Sequence, residues 1–152
     1  MFAETLRCRY ARDDTRVLSR EASIQSIREI FDGAAHDHLL LIVAVHASPA
    51  AVLFRPSLVQ TLYGVPANGP SGLLLIHRGA LFLGIVVVAA FAAFNSEARR
   101  AATLLVGISV IGFPAVYSAA GTPVGPLRLI ALVDVVALVP LAFVIYSAWR
   151  TA

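Results

Sequence analysis

Arg78 and Asp134 each stand within a long apolar run, and His46 and His77 stand within two of the same runs. A guanidinium grips carboxylates and phosphates through paired N–H donors, a carboxylate accepts hydrogen bonds and protons, and an imidazole exchanges protons near neutral pH. Together they could anchor an anionic headgroup or a small acid through Arg78, or pass protons through Asp134 and His46. Tyr117 belongs with them because its run ends on the same side of the proposed bundle. Two readings stand side by side. Arg78 and Asp134 form an ion pair that sets helix register, with His46 and His77 bonded to backbone or facing water, or the group is a functional site.

Position makes these charges costly. An arginine inside a membrane span costs on the order of 2.5–3.5 kcal/mol or more unless it reaches the interface or meets a partner. Arg128 is badly placed to help Asp134 from within the same helix, since a six-residue separation puts the two on different faces. Asp134 is therefore paired across helices, wetted in a cavity or protonated.

Other chemistry finds little support. No Gly-x-Ser-x-Gly elbow, His-Glu-x-x-His motif, phosphate-cradling glycine loop or close carboxylate pair is present. His36-Asp37-His38 has ligand-type side chains but reads as a solvated boundary. The single Cys8 excludes an internal disulfide and a cysteine-based metal cluster. No metal or other cofactor is called for, and no catalytic residue is assigned.

The elements that must hold these side chains follow from composition. Of 152 residues 59% are hydrophobic and the mean hydropathy is +0.81, well above an ordinary soluble domain. The reading is an all-α transmembrane four-helix bundle preceded by a short amphipathic helix. All 12 basic residues are arginines, and the net charge of +3 is explained by arginines flanking spans without invoking nucleic acid. The spans fall at about 38–54, 73–94, 101–119 and 127–149, giving a transmembrane domain over 38–152. Ala80 and Gly84, Ala89 and Ala93, and Ala115 and Ala119 have the four-residue spacing that permits close helix approach.

Residues 1–37 form a charged tail with six arginines and seven acids. In it Val17, Ile24, Ile27 and Phe31 recur at helical spacing, with Ser19 or Ser23 as N-cap and Gly33 as terminator. The first apolar run starts too late for a secretory signal, and an internal translation start would remove part of the tail.

Arg99, Arg100, Arg150, Arg20 and Arg28 fall on one side, against Arg55, Arg78 and Arg128, so both termini are expected in the cytoplasm. Tyr63 and Tyr117 then lie near one interface, Tyr146 and Trp149 near the other. At 1.5 Å per residue Arg78 lies about 7–8 Å along its span and Asp134 about 10–11 Å, close enough in depth to meet.

Leu62-Tyr63-Gly64, the run from Leu75 through His77-Arg78-Gly79 to Gly84, Gly107-Ile108-Ser109, and Leu127-Arg128 with Ala131 and Asp134 carry a resemblance. The chain, over about residues 38–150, resembles small bacterial four-span membrane proteins, similar in layout to the DoxX-like proteins. Relatives of that kind sometimes carry the label phosphopantetheine adenylyltransferase. The soluble enzyme of that name has a nucleotide-binding α/β fold and a Gly-His phosphate motif, neither of which this sequence holds. The resemblance implies an architecture and a polar centre at Arg78 and Asp134, without an activity.

The expected role is a small integral protein of the bacterial inner membrane, an accessory or lipid- or small-molecule-binding subunit. Its expected partners are the lipid bilayer and either another membrane protein or further copies of itself. The alternative is a membrane-embedded enzyme or proton-coupled carrier using Arg78, Asp134, His46 and His77.

Overall fold

The computed structural model describes the backbone of residues 2–150 and the side chains of residues 20–150, so those of Cys8, Val17 and Ser19 lie outside it. Its helices are α1 (Phe2–Ala50), α2 (Leu58–Tyr63), α3 (Pro70–Phe94), α4 (Arg99–Ala119) and α5 (Pro126–Arg150), with short 3-10 turns at Ala51–Leu53 and Ser96–Ala98. Four stretches are long and apolar enough to cross a membrane: Arg20–Leu53, Pro70–Phe94, Ser96–Ala119 and Pro126–Arg150. The fold is an all-α four-helix bundle, and the chain is a multi-pass membrane protein whose outer faces meet lipid.

Residues up to Ala34 form one compact unit and those from Ala35 onward a second. The first is helical, with Ile24, Ile27 and Ile30 exposed. A separate short helix, begun at Ser19 or Ser23 and closed by Gly33, is not what forms. α1 starts at Phe2 and passes through Gly33, which does not take the left-handed conformation a closing glycine needs. A glycine inside a helix costs about 1 kcal/mol relative to alanine, too little to break a helix whose neighbouring turns are intact.

In the second unit, α1 contributes Leu39 and Ile42 to a core completed by Ile85 and Ala89 of α3, Val106 and Val110 of α4, and Leu141 and Val144 of α5. Lipid tails are as apolar as leucine, so these helices are held by close packing and not by escape from water. Small residues supply that closeness: Ala89, Ala92 and Ala93 of α3 and Ala102 of α4 are all buried in this core. The other two small-residue pairs do not pack in this way: Gly84, Ala115 and Ala119 are exposed.

Contacts near the ends fix the direction of each helix. His36 Nδ1 bonds the Ala93 carbonyl at 3.1 Å. Arg99 Nε donates to the Ala92 carbonyl at 3.4 Å, and Arg100 Nε donates to the Ala148 carbonyl at 3.1 Å. The end of α3, the start of α4 and the end of α5 therefore share one end of the bundle. α3 and α5 run in parallel, and α4 runs against both. The arginine pair, expected in the loop before a span beginning at 101, opens α4 and binds carbonyls that helix ends leave unpaired.

Candidate functional site

α3 and α5 both open on a proline at the first helical position, Pro70 and Pro126, where the missing N–H costs nothing and the fixed φ suits a helix. Arg78 and Asp134 each stand eight residues further on, about 12 Å along their helices. Arg78 lies deeper than the sequence suggests because α3 begins three residues before Leu73. Parallel helices and equal depth carry the two charges to one cavity of about 130 Å³, which His46 of α1 and Tyr63 of α2 also line.

Gly79, next to Arg78, brings α3 against the end of α1. A Cβ there would stand 3.1 Å from the Leu53 nitrogen and 3.3 Å from the Pro49 carbonyl oxygen, tighter than helices normally tolerate. That approach places His46 across from Phe82, ring centroids 5.7 Å apart. At the mouth of the same helix, Gly72 lies so close to the Ala67 carbonyl that any side chain would displace the loop. α2 ends at Gly64 in the left-handed conformation, φ 71°, beside Pro126, and so sets Tyr63 at the wall of the cavity.

Arg78 and Asp134 share this space without joining. Among the described residues no nitrogen of Arg78 lies within 4.0 Å of an Asp134 oxygen, and Arg78 instead lies between two rings. Its guanidinium carbon is 5.1 Å from the centroid of Phe82 and 5.1 Å from that of Phe113. Each such contact contributes roughly 0.5–2 kcal/mol, more when dry. The two together match most of the cost of placing an arginine in a span. Arg78 is thus held in the bundle by aromatic faces, and the N–H edge of its guanidinium is left for another partner.

His46 is 1% exposed. Its Nδ1 bonds the Ile42 carbonyl of its own helix at 2.9 Å. A carbonyl only accepts, so Nδ1 carries the proton and neutral Nε2 is an acceptor. Nε2 is buried and has no hydrogen-bond partner among the described residues. Burial pushes the Tyr63 phenol above the usual tyrosine range; nearby Arg78 works against that rise and Asp134 adds to it.

Of the five side chains the sequence nominates, Arg78, Asp134 and His46 line this cavity. His77 does not: one residue from Arg78, it points outward and is exposed. Tyr117 lines a different, more open groove on α4 and α5 and donates to the Pro123 carbonyl at 2.9 Å. Its ring stacks on Phe113, centroids 6.3 Å apart, so it backs one of the rings that hold Arg78. Phe82 and Phe113 escaped sequence reasoning, although Phe82 stands four residues after Arg78, the spacing at which side chains on one helix face meet. His36 and His38 are engaged at the Ala93 carbonyl and against Phe143. No group of three side chains that could hold a metal occurs among the described residues.

Comparison of the chain with protein-family models, with characterised proteins and with solved structures finds no match.

Proposed function

We propose that this protein is a small accessory subunit of the bacterial inner membrane, DoxX-like in layout, with both termini in the cytoplasm, that binds a lipid headgroup or small polar molecule between its spans. The observation that carries this reading is the separation of Arg78 and Asp134 in one cavity. A pair kept only for helix register would close on itself, because two buried charges recover their desolvation cost only through direct, well-bonded contact. Here the arginine is held by rings, and both charges face a space large enough for about four water molecules at liquid density.

Arginines at the α3–α4 turn and at the end of α5 support the cytoplasmic placement of that end. The test is native mass spectrometry of protein released from its own membranes. A bound mass of headgroup or metabolite size, present in the wild type and absent from Arg78→Gln, is expected. A wild type that carries no bound mass contradicts the reading.

A further inference from the structure

We infer that the occupant of this cavity is a zwitterion whose cationic end carries N–H donors: a phosphoethanolamine-type or amino-acid-type group. This inference rests on the binding role proposed above and names its ligand class.

The cavity holds one fixed positive and one negative side chain, Arg78 and Asp134, lining the same space without an ion pair between them. Their formal charges cancel. A simple anion would meet Arg78 but also face the Asp134 carboxylate in a medium of low dielectric, and a simple cation would meet the reverse. A ligand with both signs, separated by a few atoms, complements both at once. Arg78 offers its planar N–H edge, the geometry suited to phosphate or carboxylate oxygens.

The opposite end of such a ligand is specified by His46. With Nδ1 turned to the Ile42 carbonyl, Nε2 on the far side of the ring is the remaining polar atom of His46, a residue that lines the cavity. That atom is buried, accepting and unpartnered, and a buried polar atom left unpaired costs about 1–3 kcal/mol. Asp134 is a second acceptor. Two acceptors call for a ligand group with more than one hydrogen to donate, which a primary ammonium has and a trimethylammonium lacks.

The experiment uses the full chain in nanodiscs of phosphatidylglycerol doped with equal amounts of phosphatidylethanolamine and phosphatidylcholine. Lipid retained on native ejection is the readout. Both doped headgroups are zwitterions, and they differ at the ammonium. A second arm adds soluble phosphoethanolamine or phosphocholine to protein in micelles. Retention in the first arm assigns the ligand to lipid; binding in the second alone assigns it to a free zwitterion.

The expected preference for the N–H-bearing compound is about tenfold or more. His46→Leu and, independently, Asp134→Leu bring it to near unity, whereas His46→Gln, which sets an amide acceptor near the place of Nε2, keeps it. Equal retention of the two headgroups by the wild type overturns the inference and leaves the binding role standing. Retention of neither compound in either arm overturns both. A full preference in folded Asp134→Leu and His46→Leu proteins also overturns the inference.

Discussion

Arg78 and Asp134 occupy the same position in two parallel helices, eight residues beyond the opening prolines Pro70 and Pro126, and line one cavity without an ion pair between them. Depth and direction are thus set by where two helices begin, and the lack of contact is set by Phe82 and Phe113, which hold the guanidinium. The behaviour of altered proteins follows from that separation.

If Arg78 is held by rings, its removal costs less stability than breaking a direct buried pair, which is about 3–5 kcal/mol. Arg78→Leu is expected to stay folded in micelles with a loss below that range, while losing its bound ligand. A loss as large as a broken pair, rescued by Asp134→Leu in the same chain, would instead mark an ion pair.

The aromatic clamp has its own signature. Phe82→Leu and Phe113→Leu should each weaken the hold on Arg78, and a double-mutant cycle between Arg78 and either ring should show coupling of roughly 0.5–2 kcal/mol in unfolding free energy. Tyr117→Ala, acting through Phe113, should give a smaller effect in the same direction. Coupling near zero for both rings would show that the guanidinium is supported elsewhere.

Gly79 tests the helix approach that builds the cavity wall. Gly79→Val puts atoms where the Leu53 nitrogen and Pro49 carbonyl already press. We expect a destabilisation of about 1–3 kcal/mol from overpacking, seen as a lowered thermal midpoint, together with weakened ligand retention. An unchanged midpoint would show that α1 and α3 do not approach there.

Tyr63 gives a pH dependence with a definite sign. Its phenol is raised by burial, so the folded state holds its proton at a pH where the unfolded chain has released it. The unfolded chain then binds fewer protons, and stability falls as pH rises above about 10, the ordinary tyrosine value. Unfolding in micelles followed from pH 8 upward should show this fall in the wild type, and a shallower one in Tyr63→Phe.

Much of the architecture was legible because apolar length and turn residues are strong signals, and the four spans emerge from them directly. Gly33 misled because a glycine next to good helix formers is tolerated within a helix as readily as it ends one. Arg78, Asp134 and His46 could be nominated from charge inside apolar sequence and matched by depth. His77 was drawn in by adjacency, yet successive residues point about 100° apart on a helix, so only one of His77 and Arg78 could face inward. Tyr117 stacks on Phe113 but lines another groove, because depth alone does not tell which groove a ring enters. The clamp by Phe82 and Phe113 depends on three helices meeting, which no local pattern records.

The central claim, that Arg78 and Asp134 hold something between them, is tested most directly by an experimental density map of the protein in nanodiscs at side-chain resolution. Non-protein density bridging the Arg78 guanidinium, the Asp134 carboxylate and His46 Nε2 is expected. An Arg78 side chain reaching Asp134 directly, with nothing between them, would contradict it.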